Sequence, residues 1–221
     1  MNYILSMLIG YIFGCSHMAY YISKRKNINL KENGSKNYGT SNAMALIGKK
    51  AGMLVFVHDF LKSFLAVVLI GFLFPNSNGA DVLAGCAAVV GHIFPFYLHF
   101  DGGKGFASFI GVSFALFPLP SLLALVVVLL LAFISDYIVI ATCSFIIFTP
   151  VFAFIKGDVI GGIILFSTAL LIVWKHKENI VNLLSNNGKE MSVKKVVFHG
   201  SYKMDSTTQE GDVDEKKSEE K

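Results

Sequence analysis

Apolar residues fill long stretches of this chain, and polar residues gather in short loops between them. The apolar runs cover residues 2–23, 52–74, 82–98, 105–116, 121–134, 137–155 and 159–174. A hydrocarbon core takes about 20 apolar residues per helix, and fewer where a helix is tilted or buried. The pattern predicts an all-α polytopic membrane protein with seven transmembrane helices. The fourth and fifth runs are short and separated by "FPLP". Two prolines two residues apart favour a turn over a kink, and so seven spans over six. The first run starts almost at Met1, lacks a basic leader and ends in "SKRK". It reads as a retained span, with no small-residue cleavage site.

Composition agrees. The 221 residues are 54% hydrophobic, with 20 Phe, and only 15% are charged. A soluble domain carries about a quarter charged residues. Charge also sets orientation, because cytoplasmic loops are rich in Lys and Arg. The loop after the first run holds Lys24, Arg25, Lys26, Lys31, Lys36, Lys49 and Lys50 against Glu32 alone. That predicts an outside N-terminus and a cytoplasmic C-terminus. The next loop, "PNSNGAD", has no cation; Lys175 and Lys177 follow the last run. Lys156 falls on the outer side, beside Asp158. Residues 1–190 form the expected membrane domain and 191–221 a cytoplasmic tail. The end of that tail, "MDSTTQEGDVDEKKSEEK", lacks aromatics and is expected to be partly disordered. Cys15, Cys86 and Cys143 lie in apolar runs without C-x-x-C spacing. They are expected to be buried free thiols, with no disulfide and no metal site. Gly10 and Gly14 have the spacing of ordinary helix packing.

Three polar stretches fall on the cytoplasmic side under seven spans. The first, "ENGSKNYGTSNA", has glycines whose backbone N–H groups can turn toward one anion, with Ser and Asn as neutral donors. The second, "HFDGGKG", permits close backbone approach at Gly102 and Gly103, and Lys104 supplies an ammonium suited to phosphate. It lacks the P-loop spacing. In the third, "WKHKENIVNLL", His176 and Asn179 are three residues apart, which a helix places on one face. His17, His58, His92 and His99 have no such partner and read as structural. Asp59 and Lys62 are also three apart, and buried charges within a span pair or serve function.

Together these stretches resemble the bacterial acyl-phosphate:glycerol-3-phosphate acyltransferases. "GSKNYGTSN" is similar to that family's first motif, "GHIFPFYLHFDGGKG" to its second and "HKENIVNLL" to its third. The likeness runs from Tyr11 to about Glu190. It implies a seven-span plasma-membrane enzyme with a cytoplasmic active site and no metal or organic cofactor. Its substrates would be acyl phosphate and glycerol 3-phosphate, its surroundings membrane lipid, and nucleic acid plays no part. The acyl group passes to the 1-hydroxyl, giving 1-acyl-glycerol 3-phosphate and phosphate.

The resemblance makes Ser35, Lys104 and His176 the catalytic residues. Gly34, Lys36, Asn37, Ser41 and Asn42 in the first motif would bind substrate. So would Gly102 and Gly103 in the second and Asn179 in the third. Catalysis would rest on proximity and preorganised charge, since an acyl phosphate is already activated. The hydroxyl proton passes either to a phosphate oxygen of the donor or to His176. The chain departs from the motifs at Lys36 (for glycine), Asp101 (for lysine), and Ala45 and Asn182 (for arginines). Lys31 also stands for an arginine. The loss of cations leaves two alternatives: a non-catalytic member that keeps the fold, or an acyltransferase with a different polyol-phosphate acceptor.

Overall fold

The structure is a computed structural model in which residues 1–185 are described; the expected tail, 191–221, lies outside them. The helices are α1 (Asn2–Cys15), α2 (Met18–Lys26), α3 (Thr40–Leu46), α4 (Lys49–Leu73) and α5 (Ala80–Ile93). A 3₁₀ turn at Phe96–Leu98 follows. Then come α6 (Phe106–Leu116), α7 (Pro118–Ser135), α8 (Ile138–Ile155), α9 (Val159–Lys175) and α10 (Lys177–Leu184).

Every apolar run forms helix, yet the runs are unequal. Five segments are long and apolar enough to cross a bilayer: Asn2–Lys26, Lys49–Leu73, Ala80–Leu98, Pro118–Ser135 and Ile138–Ile155. A sixth, Val159–Lys175 with Lys177–Leu184, is bent by 59°. The expected fourth span is α6, with 11 residues. At 1.5 Å per residue it is about 17 Å long, roughly half a hydrocarbon core. It lies within the bundle, packed on α4, α5, α7 and α8, with Phe109, Ile110 and Val112 buried. Gly105, at φ +91°, starts it and Pro118 begins the next helix. Opposite in character, α7 exposes Leu122, Leu123, Val126, Val127, Leu129 and Leu130. A row of bare leucines and valines suits lipid as its solvent.

The first span is broken. Ser16 is extended, and α1 ends before it. The freed carbonyls find one distant and one local partner: Ser16 O accepts from Lys62 Nζ on α4 at 2.7 Å. Cys15 O faces His17 Nδ1 at 2.7 Å. A broken helix survives inside a membrane protein only where buried partners satisfy its backbone in this way.

Gly10 and Gly14 are where α1 meets α5. A Cβ at Gly10 would lie 2.1 Å from the Ala84 carbonyl oxygen, and one at Gly14 2.0 Å from that of Ala88. The contact is backbone on backbone, the close approach that small residues permit. Gly14→Leu must separate the two helices. It is expected to destabilise by about 3 kcal/mol or more, read as a lower thermal midpoint in detergent.

The two ends of the bundle differ. At one end Asn2 Nδ2 donates to Ser77 Oγ at 3.0 Å, so the N-terminus meets the loop after α4. The three polar stretches gather at the other. The first is anchored by a small core in which Leu30, Ala43, Ala19 and Val55 are buried against Ile22, Tyr38 and Leu46.

Candidate active site

The second stretch is a hairpin built on close backbone contacts. Gly102 N–H donates to Ile93 O at 3.0 Å, and Gly103 N–H to His92 O at 3.1 Å. A Cβ at Gly102 would lie 2.1 Å from His92 O, and one at Gly103 2.1 Å from His92 Nε2. These amides were expected to bind substrate. In this structure both amides donate to the end of α5, and the bare glycines allow that close packing. His99 and Phe100, at φ 52° and 58°, turn the chain before the glycines.

Lys104 Nζ donates to Asn179 Oδ1 on α10, joining the second and third stretches. His176 stands at the bend between α9 and α10, just beyond the last residue of α9, and is buried. Its Nδ1 lies 2.8 Å from Ile172 O. A carbonyl only accepts, so Nδ1 carries the proton and Nε2 of the neutral ring keeps its lone pair. Burial pushes the imidazole down to about 4; the bond to Ile172 O opposes this, and the charge of Lys104 reinforces it. The ring is therefore neutral at pH 7.

The first stretch curls around Asn42, which is fully buried. Asn42 Nδ2 donates to Leu30 O at 2.8 Å and Asn37 O at 2.9 Å, and Oδ1 accepts from Ser35 N–H at 2.9 Å. These bonds hold the loop's shape. Gly34, at φ +63°, makes room, since a Cβ there would lie 2.2 Å from Asn42 Oδ1. Lys36 also has a positive φ of 49°, where a glycine would sit unstrained. Ser35 and Asn37 are bonded together, Asn37 Nδ2 to Ser35 Oγ at 3.0 Å. Ser35 and Lys36 are exposed, Asn37 half-buried, and Ser41 lies half-buried in the first turn of α3.

A bridge between the stretches has no local signal in the amino-acid pattern. Lys31 Nζ pairs with Asp101 Oδ2 at 2.7 Å and reaches Gly102 O at 3.3 Å. Lys175 Nζ stands 3.9 Å from Asp101 Oδ1. A cleft of about 370 Å³ opens here, lined by Tyr20, Lys31, Tyr38, Tyr97, His99 and Asp101. Asp101 thus ties one cation from each flanking stretch to the hairpin while subtracting their charge from the site. Asp101→Asn is expected to tighten glycerol 3-phosphate about 3- to 5-fold at low salt, with the gain fading at high salt. Titration of the purified protein at two ionic strengths checks it.

The family model described as glycerol-3-phosphate acyltransferase matches residues 4–186. The chain belongs to this family. A glycerol-3-phosphate acyltransferase of Thermosipho melanesiensis is 34% identical over 194 residues, covering 87% of this chain and 94% of that protein. One from Aquifex aeolicus is 32% identical over 188 residues, 84% and 97% of the two chains. Among solved structures, PlsY is an integral membrane glycerol 3-phosphate acyltransferase. In its glycerol 3-phosphate form it superposes with a TM-score of 0.82 at 31% identity, over 90% of this chain and all of that one. This chain is accordingly a multi-pass membrane protein, and the elements among its described residues are all helices. Where the acyltransferase motifs were expected at one end of the bundle, the hydrogen bond from Lys104 to Asn179 and the pair of Lys31 with Asp101 bring all three together.

Proposed function

We propose that this protein transfers an acyl group from acyl phosphate to the 1-hydroxyl of glycerol 3-phosphate, releasing phosphate. Family membership carries the acyltransferase activity. The observation that carries the site is the convergence of Lys104, Asn179 and His176 at one end of the bundle. A lysine ammonium held by a neutral amide suits phosphate, and a neutral buried imidazole with an unprotonated Nε2 suits a hydroxyl.

The hydroxyl oxygen of the acceptor attacks the acyl carbonyl carbon, and the bond from that carbon to the bridging phosphate oxygen breaks. The hydroxyl proton leaves with the phosphate, as hydrogen phosphate. His176, held down to about 4, is too weak a base to keep it. Its Nε2 accepts the hydroxyl's hydrogen bond and aims the oxygen, and Asn179 fixes Lys104 against the phosphate. Exposed Ser35 and Lys36, with half-buried Asn37 and Ser41, offer further donors to the second phosphate. The non-catalytic alternative is not favoured, because Lys104, His176 and Asn179 are retained and brought together.

Under this reading the site faces the cytoplasm, the N-terminus lies outside, and α6 counts as a seventh, half-length crossing. Lys24, Arg25, Lys26 and Lys31 beside the site support that orientation. The testing experiment gives purified protein palmitoyl phosphate, with palmitoyl-CoA as the competing donor. Phosphate release that requires glycerol 3-phosphate and matches lysophosphatidate mole for mole supports the reading. Product from the thioester alone, or release without acceptor, refutes it.

A further inference from the structure

Beneath the glycine hairpin lies a polar cluster to which no step of the transfer assigns a role. Asp59 and Lys62, on α4, are 2% and 6% exposed, and their charges meet at 2.9 Å. Lys62 Nζ also donates to Ser16 O at 2.7 Å and to His92 Nδ1 at 2.8 Å. Its three protons therefore have three acceptors, one on each of α4, the break in α1 and the end of α5. An ammonium only donates, so His92 accepts at Nδ1 and carries its proton on Nε2. That Nε2 edge lies against Gly103. His92 O accepts from the Gly103 amide at 3.1 Å and faces His17 Nε2 at 2.9 Å, and the His17 ring stacks on that of His92 at 4.9 Å. The remaining neighbour, His58 Nδ1, stands 3.4 Å from Asp59 Oδ1.

We propose that Asp59 and Lys62 are positioning residues for Lys104, acting through His92. The pair fixes the His92 ring and carbonyl; these fix Gly103; and Gly103 sets the place from which Lys104 reaches Asn179. A buried pair adds little net stability over an apolar substitute of similar size. Its three-way geometry, directly under the hairpin, is what an apolar replacement would not reproduce.

The test removes both charges together, since either single change would strand a buried ion. In Asp59→Asn/Lys62→Met, amide hydrogen exchange is followed by mass spectrometry in peptides covering 92–104. Exchange at the Gly102 and Gly103 amides is expected to rise about ten-fold, with peptides of α7 and α8 unchanged; losing the donor to Ser16 O is expected to lower the thermal midpoint modestly. The KM for glycerol 3-phosphate is expected to rise about ten-fold, whereas a merely structural role would lower the active fraction and leave KM alone. Wild-type exchange in the hairpin, or loosening spread over the whole protein, overturns the proposal. Gly103→Ala, which leaves the pair intact and presses on His92 Nε2, is expected to raise KM likewise; a wild-type KM there overturns it too. The kinetic arm rests on the proposed function. The exchange arm does not, so wild-type protein without acyltransferase activity would refute that function and leave the exchange result to decide the positioning role.

Discussion

Replacing Lys104 by methionine is expected to lower kcat/KM for glycerol 3-phosphate by about 10²–10³-fold. Methionine keeps the stem's length and apolar character, so the hairpin, held by its own glycine contacts to Ile93 and His92, stays folded. The ammonium alone is lost. Truncating one partner of a desolvated charge pair removes about 2–5 kcal/mol of binding, and a loss of this size lies within that range. Lys31 and Lys175 do not compensate, since Asp101 engages both. Lys104→Arg should recover only part of the loss, as the larger planar group does not fit the same contact with Asn179. Steady-state phosphate release with the acceptor varied gives the result. A methionine variant within three-fold of wild type would remove Lys104 from the chemistry.

His176→Ala is expected to cost about 100-fold in kcat, the effect of losing alignment at the attacking oxygen. The pH dependence separates alignment from general-base catalysis. Burial holds His176 down to about 4, so the ring is already unprotonated throughout the neutral range. The wild-type rate should therefore show no loss assignable to His176 until the pH falls toward 4. A rate that fell with a midpoint near 6.5 and flattened in His176→Asn would mean that the imidazole takes the proton. Stability has a matching sign. The unfolded ring titrates near 6.5 and the folded one near 4. Between those values the unfolded chain binds more protons, so folding weakens as pH falls through that window. His176→Asn should remove that part of the acid slope.

Much of the fold was legible because a membrane span writes itself as an apolar run. Where the sequence reading missed, long-range contacts decide. Residues 2–23 are apolar enough to continue as one helix, yet the helix breaks at Ser16, because Lys62 and His17 supply partners for the opened backbone. Nothing local to the first run encodes an acceptor for a lysine 46 residues away. Periodicity likewise does not distinguish a short helix buried on all sides, as α6 is, from a full crossing.

The site was legible in its residue types and less so in their roles. Glycine next to glycine announced close approach, and the structure shows that approach to His92, which the sequence alone does not name. Asn42 and Asn37 look alike in a loop sequence; one is a buried clasp and the other half-exposed. Asp101 read as a charge that weakens an anion site. In the structure it is also a tie between Lys31 and Lys175. The pairing of Asp59 with Lys62 was visible from their spacing, and its extension to His92 and the hairpin was not.

An experimental structure with glycerol 3-phosphate bound tests most directly whether the hairpin and the α9–α10 bend make one acceptor site. The account predicts the acceptor hydroxyl about 3 Å from His176 Nε2 and a phosphate oxygen about 3 Å from Lys104 Nζ, with Asn179 still against that lysine. Glycerol 3-phosphate seated in the tyrosine-lined cleft, with Lys104 and His176 both out of contact, would contradict it.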